Sequence, residues 1–438
     1  MNSTTYSKLR TFYLLWSTQG LSQLGSTMTN FALTLWLYQK TGSALQTALL
    51  AICSYTPYVL MSIFAGALSD RWDKKRVMLI SDACAAATTV LVLVLVLLNL
   101  LLPVHLYILS AVNGLMNTIQ RPASDVAMTL IVPKEEYQKT SGLRYFSNSL
   151  VTILHPVLAT AVFAFAGIFG VILIDLGTFI VAFCALLFLI KLPNITHHDS
   201  ESSGKESLLA SSREGLRYLK HNPMILYLIL FLAGVNLVAS AFDAALPAYI
   251  LPRANGGQKI LGLVLSFAGI STLLGSLAVT VLPTPKNRIR VIVGTMLFSL
   301  TIENFLLALT NEPVLWCLGQ ILGWFVVPIM GANLDVILRT TIPVAMQGRV
   351  YSCRNSLQFF TIPVGHFLGG FLIDTFFEPL VAANQGNRLL TTLFGSAKGS
   401  GAGMMIFSLG LAGACVCLFF GRLLKKYRFV EQIETPRQ

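Results

Sequence analysis

"GALSDRWDKKRV", residues 66–77, holds six charged side chains within seven positions: Asp70, Arg71, Asp73, Lys74, Lys75 and Arg76. The 438-residue chain around it is 55% hydrophobic and only 11% charged. Soluble domains carry about 25% charged residues, so this chain cannot clothe itself in a water-facing surface. Mean hydropathy is +0.70. Apolar runs of about 20 residues recur from end to end, each long enough for a hydrocarbon core roughly 30 Å thick. The sequence describes a polytopic membrane protein, and the charged stretch is a loop between two of its spans. The polar start "MNSTTYSKLR" leads into a long first span with no small-residue cleavage site, so no cleavable signal peptide is expected.

Outward from that loop, twelve spans are predicted. They fall at roughly 11–37, 44–68, 77–102, 105–127, 140–167, 168–190, 223–250, 259–282, 290–310, 312–338, 350–373 and 402–422. The expected fold is an all-α membrane protein with twelve transmembrane helices in two pseudo-symmetric six-helix halves, residues 1–192 and 223–438. Residues 193–222, rich in Ser and charge, read as a cytoplasmic linker ending in a short amphipathic helix, "REGLRYLK". An internal repeat supports the two halves. "NSLVTILHPV" at 148–157 and "NSLQFFTIPV" at 355–364 share Asn, Ser, Leu, Pro and Val at identical spacing. They fall in the fifth and eleventh spans, as in transporters built from parallel repeats.

Charge placement sets the orientation. With both termini cytoplasmic, the outer loops hold only Lys40, Arg253, Lys259, Arg388 and Lys398, leaving 26 of 31 basic residues inside. The net charge of +12 is thus a topology signal with affinity for anionic lipid heads. It is spread over seven cytoplasmic segments, so no nucleic-acid surface is expected. The seven cysteines are scattered through apolar runs without a C-x-x-C pair, which excludes a disulfide framework.

The opening loop resembles the signature of the major facilitator superfamily, Gly-x-Leu-Ala-Asp-Arg-x-Gly-Arg-Arg/Lys. Gly66, Leu68, Asp70, Arg71, Lys74 and Lys75 match; Ser69 and Asp73 depart from it. The variant "DRWDKKRV" is similar to the macrolide-efflux and siderophore-export branch, as are "TGSALQTALL", "REGLRYLKHNP" and "GRVYS". Gly66 suits close helix approach, and Asp70 suits an exposed helix start, where the dipole favours an anion. Gly66, Asp70, Arg71, Lys74 and Lys75 are therefore expected to form a conformational latch on the cytoplasmic face. The glycine motif of drug antiporters in span five is degraded: "SLVTILHPVLATAV" keeps Pro156 but places His155 before it. A stripe of Gly262, Ser266, Gly269, Thr272 and Ser276 in span eight suits close packing.

No G-x-x-x-x-G-K-[ST] occurs, since "SSGKES" lacks its first Gly and its Ser/Thr. Transport should draw on an ion gradient, with no cofactor and no metal. Charged residues inside spans cost about 2.5–3.5 kcal/mol each on insertion scales. Asp175, Asp243 and Glu303 are the acids counted there. In the fold that the resemblance implies, spans one, four, seven and ten line a central cavity, which makes Asp243 the proton-coupling candidate, with His155 and Glu303 as alternates. Asp175 and Glu303 sit on supporting helices. Substrate-cavity candidates are Gln23, Asn30, Asn113, Asn117, Asn236, Trp324, Asn333, Asn355 and Gln358, with Gln19 beside them. A wide site with few charges suits a bulky, mostly apolar molecule.

The expected function is proton-coupled efflux of amphiphilic compounds such as macrolides, by a monomer in the cell membrane. The alternative substrate is a siderophore or another metabolite. An intramembrane enzyme would need chemistry that H-x-x-x-x-D, H-E-x-x-H or G-x-S-x-G would signal, and none occurs. A non-transporting scaffold is the remaining alternative, and flux in reconstituted vesicles separates it. The topology is testable: single cysteines in 193–223 should resist an impermeant thiol reagent on intact cells, and ones in 381–399 should react. The reverse pattern would overturn the orientation.

Overall fold

The computed structural model describes residues 3–71, 73–132, 136–190 and 208–427, and the side chains of 62–71 lie outside the described part. Among the described residues all regular structure is helical. The first set comprises α1 (Ser3–Thr41), α2 (Ala44–Arg71), α3 (Lys74–Leu97), α4 (Pro103–Ile131) and α5 (Tyr137–Cys184), which runs into a π-helical segment, Ala185–Leu189. A surface helix, α6 (Leu208–His221), follows. The second set comprises α7 (Pro223–Ile250), α8 (Gln258–Val281), α9 (Arg288–Leu309), α10 (Pro313–Phe325) and α11 (Val327–Thr341). It continues with α12 (Val344–Phe359), α13 (Thr361–Leu372), a second π-helical segment (Ile373–Phe377), α14 (Glu378–Ala383), α15 (Arg388–Phe394) and α16 (Ser400–Leu424).

Nine helical stretches among the described residues are long and apolar enough to cross a bilayer. One of them, Phe146–Leu189, contains two crossings, because Gly167 breaks α5 with φ of 60°. Only glycine takes that left-handed conformation cheaply, and the sequence places its fifth boundary there. Helices α1 and α4 are also long enough, but their polar faces lower their hydropathy. Counted together, these give the twelve crossings expected. The tenth and eleventh are each broken at a proline. Pro328 has no N–H for the carbonyl four residues earlier, so α10 ends at Phe325 and α11 resumes at Val327. Pro363 does the same between α12 and α13. The eleventh crossing does not end near 373 but continues through the π segment to Ala383.

An even number of crossings puts both chain ends on one face, here the terminal face; the opposite one is the far face. Phe12, Leu15, Met78, Leu186 and Ile190 form a core at the terminal end of the first set. Leu37, Leu106 and Ile172 form another at its far end. The second set has one large core, which also takes in Leu35, Tyr38 and Ala44 from the first. The two sets thus share apolar packing at the far face. Around the perimeter apolar side chains point outward, with Phe165 93% and Val281 81% exposed, an arrangement that lipid tolerates and water does not. The predicted "REGLRYLK" helix is present as α6. It lies against the second set, where Tyr218 Oη donates to Thr341 O at 3.2 Å and Glu214 pairs with Arg349.

The charged loop divides its work. Asp73 caps α3 by accepting from the Arg76 N–H at 2.7 Å. Lys75 Nζ donates to Leu187 O at 3.0 Å and Ile190 O at 2.7 Å, satisfying carbonyls where the sixth crossing ends.

Close helix approach is severe at Gly275, where a Cβ would lie 3.0 Å from Phe325 C and 3.3 Å from Phe325 Cα. Gly275→Val should cost about 1–3 kcal/mol by overpacking, seen as a lower unfolding midpoint of the purified protein in detergent. An unchanged midpoint would contradict this packing.

Candidate translocation cavity

A cavity of about 350 Å³ lies between the two helix sets in their far half. On α1 it takes Thr27, Asn30 and Thr34, spaced for one helix face. Ser54 and Tyr55 face it from α2, His155 from α5, Asp243 from α7 and His366 from α13. Asp243 is deep in the bundle, yet its side chain is open to this space. It is the one acid in the lining, and no Lys or Arg lines it among the described residues. Tyr55 stacks on His366 with ring centroids 6.4 Å apart, bridging the two sets. His155 Nδ1 donates to Val151 O at 3.0 Å, and its ring meets Phe31 edge-on at 6.1 Å. A more open depression of about 580 Å³ on the far face, over Gln39, Pro252 and Lys259, holds no acid or histidine.

Above the cavity the far face is closed. Asp374, in the π segment Ile373–Phe377, reaches the start of α2. Its carboxylate accepts from Ser43 Oγ at 2.5 Å and from the Ala44 and Leu45 N–H groups at 3.0 Å each. A carboxylate is well placed there, where unpaired N–H groups and the helix dipole both attract it. Gly370, one turn earlier, lets the backbones meet: a Cβ there would lie 2.6 Å from Leu45 Cα. Tyr38 Oη donates to Ala248 O at 3.3 Å between α1 and α7. The span-eight stripe packs on α5, with Ser266 Oγ donating to Ile153 O at 2.7 Å.

The candidates from sequence divide. Asp243, His155 and Asn30 are brought together in the cavity. Gln23 is exposed on the same face of α1, one turn before Thr27, and Asn117 is exposed on α4. Several others have hydrogen-bond partners in the surrounding helices. Glu303 is 6% exposed and accepts from Trp324 Nε1 at 3.2 Å, so both belong to the seam between α9 and α10. Asn333 is buried and accepts from Arg288 Nη1 at 3.0 Å. Asn113 accepts from Thr88 Oγ1 at 2.9 Å between α3 and α4. Asn236 donates to Gln358 O at 3.2 Å, and Gln358 Oε1 accepts from Arg354 Nε at 3.1 Å. Asn355 is half-buried on α12 near them. Gln19 donates to Asp82 at 3.2 Å. Of the loop cluster, Lys75 is a helix cap; the side chains of Gly66, Asp70 and Arg71 lie outside the described residues.

Sequence reasoning passed over four residues. His366 follows the repeated "NSL…PV" segment by two positions, near where His155 stands within its own copy. Tyr55 carries no sequence signal beyond its apolar run. Asp374 falls just past the predicted end of span eleven, and Asp82 lies eight residues inside α3, where Gln120 Nε2 donates to it at 2.6 Å. An acid at either position in an apolar run was the available signal.

The model of the Major Facilitator Superfamily matches residues 15–366. Macrolide efflux protein A of Streptococcus pyogenes is 25% identical over 370 residues, 83% of this chain and 89% of that protein. The multidrug efflux pump Tap of Mycolicibacterium fortuitum is 27% identical over 352 residues, covering 77% and 83%. Among solved structures, a bacterial homolog of the human lysosomal transporter Spinster, inward-facing and unoccupied, superposes with a TM-score of 0.69 at 14% identity, covering 97% and 99%. A bacterial homologue of the iron transporter ferroportin, inward-facing, gives 0.67 at 16% identity, covering 94% and 98%. These last two share the fold. With a cavity between two packed helix sets and a family match across most of its length, this chain belongs to the major facilitator superfamily.

Proposed function

We propose that the protein is a secondary transporter that exports amphiphilic, cationic compounds such as macrolides from the cell, driven by protons. The observation that carries this reading is the cavity between the helix sets with Asp243 as its one acid, beside His155 and His366. A single carboxylate, with no Lys or Arg in the lining among the described residues, favours a cation over an anionic siderophore. Thr27, Asn30 and Thr34 supply dipoles for orienting a bulky apolar body. Protonated, Asp243 is neutral and the cavity can close on itself; ionised, it attracts a cationic substrate. Exchange between the two states is what antiport requires. The charge bias of the loops makes the terminal face cytoplasmic and the far face external, in the plasma membrane, and one chain suffices as the working unit.

In this reading residues 1–192 and 223–438 rock against each other across the linker 193–222. Two carboxylate contacts hold opposite ends of the cycle. Asp374 on the start of α2 holds the external side shut. Asp70, with Gly66, Arg71 and Lys74, would hold the cytoplasmic side shut when the halves tilt the other way.

Asp243→Asn fixes the neutral form. Macrolide-induced proton release from the detergent-solubilised protein should be lost, while binding of an uncharged analogue persists; equal release from both proteins would rule Asp243 out. Asp374→Ala removes three charge-assisted hydrogen bonds, each of order 1.5–3 kcal/mol. A cysteine at Thr47, placed in an otherwise cysteine-free protein, should then react severalfold faster with an impermeant reagent on intact cells. An unchanged rate would show that Asp374 does not hold this face closed.

A further inference from the structure

Asp175, in the second arm of α5, packs on the face of α1 next to the one that lines the cavity, and is 4% exposed. Side chains from two other helices converge on it. Ser26 Oγ donates to its Oδ1 at 3.0 Å, and Thr89 Oγ1 reaches its Oδ2 at 3.4 Å. Thr29, nearly one turn beyond Ser26 on α1, is 5% exposed; its hydroxyl lies beside the same carboxylate without a hydrogen bond of ordinary length and angle. Gly25 lets α1 come this close, since a Cβ there would lie 3.0 Å from Asp175 Cα and 3.2 Å from Oδ1. Five side-chain oxygens from α1, α3 and α5 therefore share one tight place, in which Asp175 and Thr29 are buried and Ser26 and Thr89 half-buried. No cationic side chain bonds to it among the described residues.

A carboxylate buried in a bilayer protein needs its charge neutralised. The neutral hydroxyls around it cannot do this, although they can hydrogen-bond to it. Thr89 also donates to Ala85 O at 3.2 Å, and Thr178 Oγ1 is committed to the Asp175 main-chain carbonyl at 2.9 Å. A proton on the carboxylate would also neutralise it, but would not draw the hydroxyl oxygens of three helices together around one point. A small cation would satisfy all five oxygens together. An oxygen-only set selects a hard cation, and one negative charge balances one positive charge. The single acid, with no cluster of three metal-binding residues among the described ones, argues against a divalent metal. The tight approach at Gly25 favours a small ion.

We propose that Ser26, Thr29, Thr89 and Asp175 form a binding site for Na+. The site has a mechanical position. Ser26 and Thr29 alternate along α1 with Thr27 and Asn30, which line the cavity. An ion there ties α1 to α3 and α5 and so fixes one cavity wall. It follows that Na+ and a cavity ligand bind with linked affinities, reciprocally.

The test uses the full chain in detergent at pH 8, with unfolding midpoints in NaCl, LiCl, KCl and choline chloride at equal ionic strength. A ligand that binds only the folded state raises stability with its concentration. Na+ and Li+ should raise the midpoint saturably, and K+ and choline should not. Thr29→Val keeps the shape and removes the oxygen, and should weaken the apparent Na+ affinity tenfold or more; Asp175→Asn should abolish the increment. If Asp175→Asn does not fold, Thr29→Val and Ser26→Ala decide. Equal midpoints in Na+ and choline, an increment that survives both hydroxyl variants, or stabilisation by acid alone would overturn the proposal. Transport is not measured, so failure here leaves the export reading standing.

Discussion

Hydrocarbon offers a polar group no partner, and every feature of this protein that bears on its work follows from that constraint. Backbone groups are answered within helices, except where a proline or glycine breaks the ladder. Side-chain carboxylates are answered by other helices. Asp374 takes the open N–H groups of α2, Glu303 takes an indole N–H, and Asp82 takes two amides. Asp243 alone in the cavity is left facing open space. The acids elsewhere in this group are tied to partners on other helices, and the one in the cavity lining is not.

The same constraint explains what could be read from the sequence and what could not. Span number, the break at Gly167 and the helix within 213–220 were legible because apolar length and punctuation encode them locally. Asp243 and His155 were legible because a charge or an imidazole in an apolar run is conspicuous. Partners were not. Asn333 and Asn113 look like any cavity-lining amide until Arg288 and Thr88 are seen opposite them. Helix rotation decides whether an amide faces a neighbour or a lumen. With so little periodic contrast between lipid-facing and protein-facing apolar residues, the sequence carries little information about that angle. The acceptors of Lys75, Leu187 and Ile190, were illegible for a related reason: they are more than a hundred residues away.

The cavity and the Asp175 cluster lie on adjoining faces of α1. That helix turns Thr27, Asn30 and Thr34 to the cavity and Ser26 and Thr29 to the neighbouring face. A helix polar on two faces buries poorly in lipid, which is why α1 is among the least hydropathic of the crossings. It sits inside the bundle instead, where both faces meet protein or a lumen. Its modest hydropathy is thus a trace of its place between two sites.

The π-helical segment at Ile373–Phe377 changes what the eleventh crossing can do. Before it, Gly365 and Gly369 lie against α7, and Gly370 lies against α2. After it, Phe377 lies against Gly401 of α16, and Glu378 Oε1 accepts from the Gly399 and Ala402 N–H groups at 3.0 and 3.2 Å. The widened turn therefore divides the crossing into a stretch packed on α2 and α7 and an outer stretch fastened to the start of α16. If the halves rock as proposed above, the hinge of the external seal falls at this turn, because the outer stretch already has its own anchor.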